Sequence, residues 1–139
     1  MTGESQREGL AGEELLARYV FRKEFVRADG TLKPDPFIPY RHTELSVTRH
    51  IGLDDAQIWE LGEGVAAARR ESAILQGRGD VQTSAFMKEN LSVRPDPIEG
   101  NPNHANVYGW PDDKAEQRAI ALEIVKSVTY LPKPIPREE

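Results

Sequence analysis

Residues 94–111 read RPDPIEGNPNHANVYGWP, with four prolines and three asparagines in eighteen residues. Each proline lacks a backbone N–H, fixes its own φ and pushes the residue before it out of the helical region. No helix can run through such a stretch. It therefore divides the chain, leaving helical potential only on either side of a turn-and-strand region. The same stretch holds one of three histidines and one of two tryptophans, and loops shaped this tightly often carry function.

Within it, residues 101–103 read as a turn and 105–110 as a strand. Pro111 then suits the first turn of a helix, with Asp112, Asp113 and Glu116 at the positive end of its dipole. Ala115, Ala119, Leu122 and Val125 form the expected apolar stripe, widened by Ile120, Ile124 and Val128. Earlier in the chain, residues 44–50 alternate as a strand. Leu45, Val47 and Arg49 take one face; Glu44, Ser46, Thr48 and His50 take the other. A helix with strong start signals follows. Asp54 is the N-cap, Gln57 completes a capping box, and Leu53 and Ile58 have the spacing of a hydrophobic staple. Gly62 and Gly64 weaken its middle and predict an early stop.

Leu15, Leu16, Tyr19, Val20 and Phe21 predict a further helix starting at Leu10, with Arg18, Arg22, Lys23 and Arg27 toward its C-terminal end. Asp29 and Gly30 mark a turn, and residues 33–40 an extended, proline-punctuated connection anchored by Phe37 and Ile38. Short strands are expected at 72–76, 80–87 and 91–94, although 80–94 reads as either strand or helix. Residues 1–9 should be frayed and residues 131–139 an exposed, proline-rich tail. The sum is one α+β domain over residues 10–130. A small, mostly antiparallel sheet is flanked by N-terminal, central and C-terminal helices, packed on one face.

Composition narrows the function. Without cysteine the chain has no disulfides, thiolate metal sites or cysteine nucleophile. The three histidines, His42, His50 and His104, lack metal-ligand spacing, so neither metal nor cofactor is expected. There is no membrane-length apolar run and no signal-peptide pattern, so the expected setting is cytoplasmic. A net charge of −5 disfavours extensive nucleic-acid binding.

His104, Asn106, Tyr108 and Trp110 share one face if their segment is extended, and a histidine and asparagine two residues apart reach the same ligand. Histidine also titrates near physiological pH, which suits proton transfer. The plainer alternative is a histidine bonded to the backbone of its own loop. Arg49 shares the parity of Leu45 and Val47, so it is either an anion clamp or the partner of an acid such as Glu44 or Asp80. Gly77-Arg78-Gly79-Asp80 lacks the spacing of a phosphate-binding loop. It reads as a tight turn whose backbone Asp80 bonds, with Arg78 able to meet a ligand. Its RGD tripeptide is not expected to meet a cell-surface receptor. Trp59 belongs to the core or to an interface edge.

SVTRHIGL, IWELG, GRGDVQTS, VRPDP and HANVYGWP, spread over residues 46–111, resemble segments of a group of small bacterial proteins. The resemblance implies a discrete bacterial domain and assigns no substrate or catalytic residue. The reading that follows is an accessory or interaction module that binds a protein partner or small ligand through residues 94–111. One alternative is an enzyme acting on a phosphoester or nucleotide. In it His104 is the general acid or base, Arg49 holds the anion, Asn106 orients substrate and Asp80 positions Arg49 or His104. The other is a structural subunit, and homo-oligomerisation stays open.

Overall fold

A computed structural model describes residues 10–39, 44–69 and 73–135. Its centre is one six-stranded antiparallel sheet of β1 (Leu15–Val20), β2 (Leu45–Arg49), β3 (Gly77–Gln82), β4 (Ser92–Pro95), β5 (His104–Tyr108) and β6 (Thr129–Pro132), in the order β4-β5-β2-β1-β3-β6. Three helices accompany it: α1 (Asp55–Ala68), the short α2 (Thr83–Met87) and α3 (Lys114–Val125). The α+β class and the antiparallel sheet agree with the sequence expectation.

The N-terminal helix does not form. Residues 15–20 are the strand β1, paired with β2 on one side and β3 on the other. Both of its faces are covered, so the alternation that marks a half-buried strand is hidden in a near-continuous apolar run. Leu16 and Val20 enter a large core with Phe37, Leu45, Val47, Phe86, Val107, Trp110 and Ile124. Ala17 and Tyr19 enter a smaller core with Ile58, Ala66 and Leu75. The helices therefore occupy both sides of the sheet, α3 on the large-core side and α1 on the other, rather than one side.

α1 starts as its sequence dictates. Asp54 Oδ1 accepts from the Gln57 N–H at 2.8 Å, and Gln57 Oε1 accepts from the Asp54 N–H at 2.8 Å. It continues past both glycines to Ala68. Gly62 is there for close approach, since a Cβ at this position would lie 2.6 Å from Cε1 of Tyr19. Tyr19 in turn donates its hydroxyl to the Ile58 carbonyl at 2.5 Å, tying β1 to α1.

Three more expectations change. Gly77-Arg78-Gly79-Asp80 is the first part of β3, not a turn, because Gly79 lets Val128, Leu32 and Phe37 approach the sheet closely. α3 begins after Pro111, with Asp113 as N-cap accepting from the Glu116 N–H at 2.9 Å. Its buried face is Gln117, Ala121 and Ile124, while Ala115, Ala119 and Leu122 face outward. Leu131 and Pro132, expected in a free tail, form the edge strand β6 against β3. Residues 1–9, expected to be frayed, and His42 lie outside the described residues. Among the described residues, no helix is long and apolar enough to cross a membrane.

Candidate functional site

Register decides which side chains meet. Thr48 pairs with His104 across β2 and β5, and with Ala17 across β2 and β1, while Ala17 pairs with Asp80 across β1 and β3. Residues directly opposite in an antiparallel sheet share a face. His104, Thr48, Ala17 and Asp80 thus form one row on the α1 side. A parallel row holds Arg94, Asn106 and Ser46, and Arg78 sits opposite Tyr19.

Helix α1 covers only half of this face. Over β1 and β3 it closes the small core. Over β2, β5 and β4 the same face carries Ser46, Thr48, His104, Asn106, Tyr108, Ser92 and Arg94, and among the described residues no helix packs there. Ser46 and Arg94 are exposed, His104, Tyr108 and Ser92 are half-buried, and Thr48 and Asn106 are buried, Thr48 beneath Asn101, whose Nδ2 donates to its hydroxyl at 2.9 Å. These polar groups largely satisfy one another. His104 Nδ1 lies 2.8 Å from the Asp96 backbone carbonyl, the loop-bonded arrangement that was the plainer alternative. The Asp96 carboxylate sits 3.4 Å from the same nitrogen and accepts from Asn106 Nδ2 at 2.8 Å. A carbonyl only accepts, so His104 carries its proton on Nδ1. In the neutral imidazole Nε2 then presents a lone pair, without a partner among the described residues. The Arg94 guanidinium lies over the Tyr108 ring, 5.6 Å from its centroid, and has no ion pair among the described residues.

Trp110 is absent from this face. Gly109 takes a φ of +100°, which breaks the alternation and turns the indole into the large core. There it is 6% exposed and donates Nε1–H to the Val107 carbonyl at 3.1 Å.

The covered half holds a charged network. Arg78, 3% exposed, donates from Nη2 to Asp55 at 2.5 Å and from Nε to Asp80 at 3.0 Å. Its guanidinium lies 4.6 Å from the Trp59 ring centroid, a cation–π placement. Burial opposes its charge, but the hydrogen bonds to Asp55 and Asp80 prevail and hold its pKa above the ordinary arginine value. A side chain this enclosed cannot present an RGD tripeptide to a receptor, nor can Arg78 meet a ligand directly. His50, set aside as a metal ligand, is the residue that sequence reasoning missed. Its Nε2 lies 3.2 Å from Asp80 Oδ1.

Arg49 is on the other side of the sheet, in register with Leu16, and donates from Nε to Glu14 at 2.7 Å. The acid that holds it is neither Glu44 nor Asp80. Arg49 and His104 therefore do not converge on one small substrate. Asp80 serves His50 and Arg78 rather than Arg49 or His104. Among the described residues, no group of three or more His, Asp or Glu is placed to hold a metal ion.

No family model, curated protein or solved structure matches the chain.

Proposed function

We propose that the chain is a binding module whose contact surface is the uncovered polar face of β4, β5 and β2, and that it takes a partner or small ligand presenting a carboxylate or phosphate. The observation that carries this is the Arg94–Tyr108 stack. The ring orients a guanidinium that has no carboxylate of its own among the described residues. An oriented guanidinium meets an acidic group with two parallel hydrogen bonds and loses little side-chain freedom in doing so. The bonds among Asp96, His104 and Asn106 hold the surrounding polar groups in place, so the surface is preorganised. Arg94 is the centre of this surface, and Trp110, a core residue, takes no part in it.

The test is capture of partners and small ligands from the native host on immobilised protein. Arg94→Ala and Tyr108→Ala, both surface changes that leave the cores intact, should each lose the captured species. Undiminished capture by both folded variants refutes the placement. The exposed part of α3 gives the structural-subunit reading less to stand on, because Leu122 is the only large apolar residue of that helix that is well exposed.

A further inference from the structure

His50 and Asp80 are arranged as an oriented acid–base pair at the end of β2 next to α1. Asp80 is fixed from behind by Arg78, whose Nε reaches Oδ1 at 3.0 Å and whose Nη2 reaches Oδ2 at 3.3 Å. A carboxylate held in this way only accepts, so the imidazole proton sits on Nε2 and Nδ1 presents the lone pair. Nδ1 has no hydrogen-bond partner among the described residues and is not a fully buried atom. His50 and Asp80 side chains are only 16% and 15% exposed, so the pair is largely sheltered from bulk water.

The surroundings supply two more parts. Leu15 lies opposite His50, joined by a 3.0 Å bond from the His50 N–H to the Leu15 carbonyl. It is 44% exposed, and Ile51 next to His50 is 59% exposed, so exposed apolar residues flank His50. The N–H groups of Ile51 and Gly52 donate to no acceptor among the described residues. A base with its orienting carboxylate, unspent backbone donors and an apolar rest are the parts that hydrolysis of a carbonyl compound uses. Asp54, Asp55 and Asp80 outnumber Arg78 here, which disfavours an anionic substrate.

We infer that His50 is a general base, with Asp80 as its positioning residue, for hydrolysis of a small neutral ester with an apolar acyl group. Nδ1 takes a proton from water as the water oxygen bonds to the acyl carbon. The tetrahedral intermediate then breaks its bond to the leaving oxygen, which receives that proton from Nδ1. Ester and water become acid and alcohol, with no other reactant. The activity is independent of the Arg94 surface.

The experiment uses p-nitrophenyl butyrate and follows release of p-nitrophenolate by the whole protein. Release should saturate, and kcat should fall about 100-fold in His50→Gln, within the usual contribution of acid–base catalysis. Asp80→Asn should lower kcat with KM unchanged, a split that general loosening of the fold would not produce. Two-bond proton–nitrogen NMR spectra of the wild type, which need no variant to fold, should show the His50 proton on Nε2 and the His104 proton on Nδ1. Absence of release above buffer, undiminished release by folded His50→Gln, or a His50 proton on Nδ1 overturns the inference.

Discussion

Gly62 and Gly64 sit two residues apart in the same helix, and alanine at each should have opposite effects on stability. At Gly64 an added Cβ meets nothing within 4 Å. The change then delivers only the helix-propensity gain of alanine over glycine, about 1 kcal/mol of added stability. At Gly62 the same atom would stand 2.6 Å from Tyr19 Cε1, 2.8 Å from Cδ1 and 3.0 Å from Leu75 Cδ2. Carbon atoms prefer roughly 3.5–4.0 Å, so about 1 Å must be opened against a buried ring. The ring has little room to retreat, because its hydroxyl is bonded to Ile58 of the same helix. Overpacking of this kind costs about 1–3 kcal/mol. Set against the propensity gain of about 1 kcal/mol, Gly62→Ala should lose up to about 2 kcal/mol.

Urea unfolding followed by tryptophan fluorescence measures both, with the midpoint shifting up for Gly64→Ala and down for Gly62→Ala at unchanged slope. A double-mutant cycle sharpens the test. Tyr19→Phe releases the ring from Ile58, so Gly62→Ala should cost less in that background. If both glycine variants shift the midpoint the same way by similar amounts, the close contact between α1 and β1 is wrong, and the covering of Arg78 by the same helix falls with it.

Trp110→Ala should act through the core rather than through binding. Loss of this 6% exposed side chain should cost about 3–5 kcal/mol, read as a lower urea midpoint; a loss below about 1 kcal/mol would place the indole outside the core. Tyr19 gives a pH prediction. Burial pushes its phenol up to about 12, whereas in the unfolded chain it titrates near 10. The fold favours the protonated phenol, so that stability is complete below pH 10 and lost as pH climbs toward 12, roughly 2–3 kcal/mol in all. Tyr19→Phe has no phenol to ionise, so the stability difference between wild type and variant should fall across that window, and parallel curves would refute it.

How far the sequence reveals this fold depends on whether each element has one buried face or two. β2 and α1 have one, and both were legible, β2 by strict alternation and α1 by its capping box. β1 has two. With Leu16 and Val20 on one side and Ala17 and Tyr19 on the other, its apolar run carries no period of two and imitates a helix. β3 failed for a different reason. Glycine is the commonest turn marker, yet Gly77 and Gly79 serve here as spaces into which neighbours fit. A Cβ at Gly79 would come within 2.9 Å of Val128 Cγ1, and a single sequence does not distinguish a glycine needed for a turn from one needed for close packing.

The site was legible one strand at a time and no further. Alternation along β5 correctly puts His104, Asn106 and Tyr108 on one face, because it needs only the parity of that strand. It fails at Trp110, where the positive φ of Gly109 resets parity. Nothing in a one-strand reading joins His50 to Asp80, thirty residues apart. Their meeting requires β2, β1 and β3 to be adjacent, with Thr48 opposite Ala17 and Ala17 opposite Asp80. It also requires a small residue between them. Ala17 leaves room for the imidazole to reach across β1 toward Asp80, and a larger side chain at that position would fill the same space. The choice of alanine at the centre of the row, unremarkable in the sequence, is therefore part of what makes a histidine and an aspartate from non-adjacent strands into a pair.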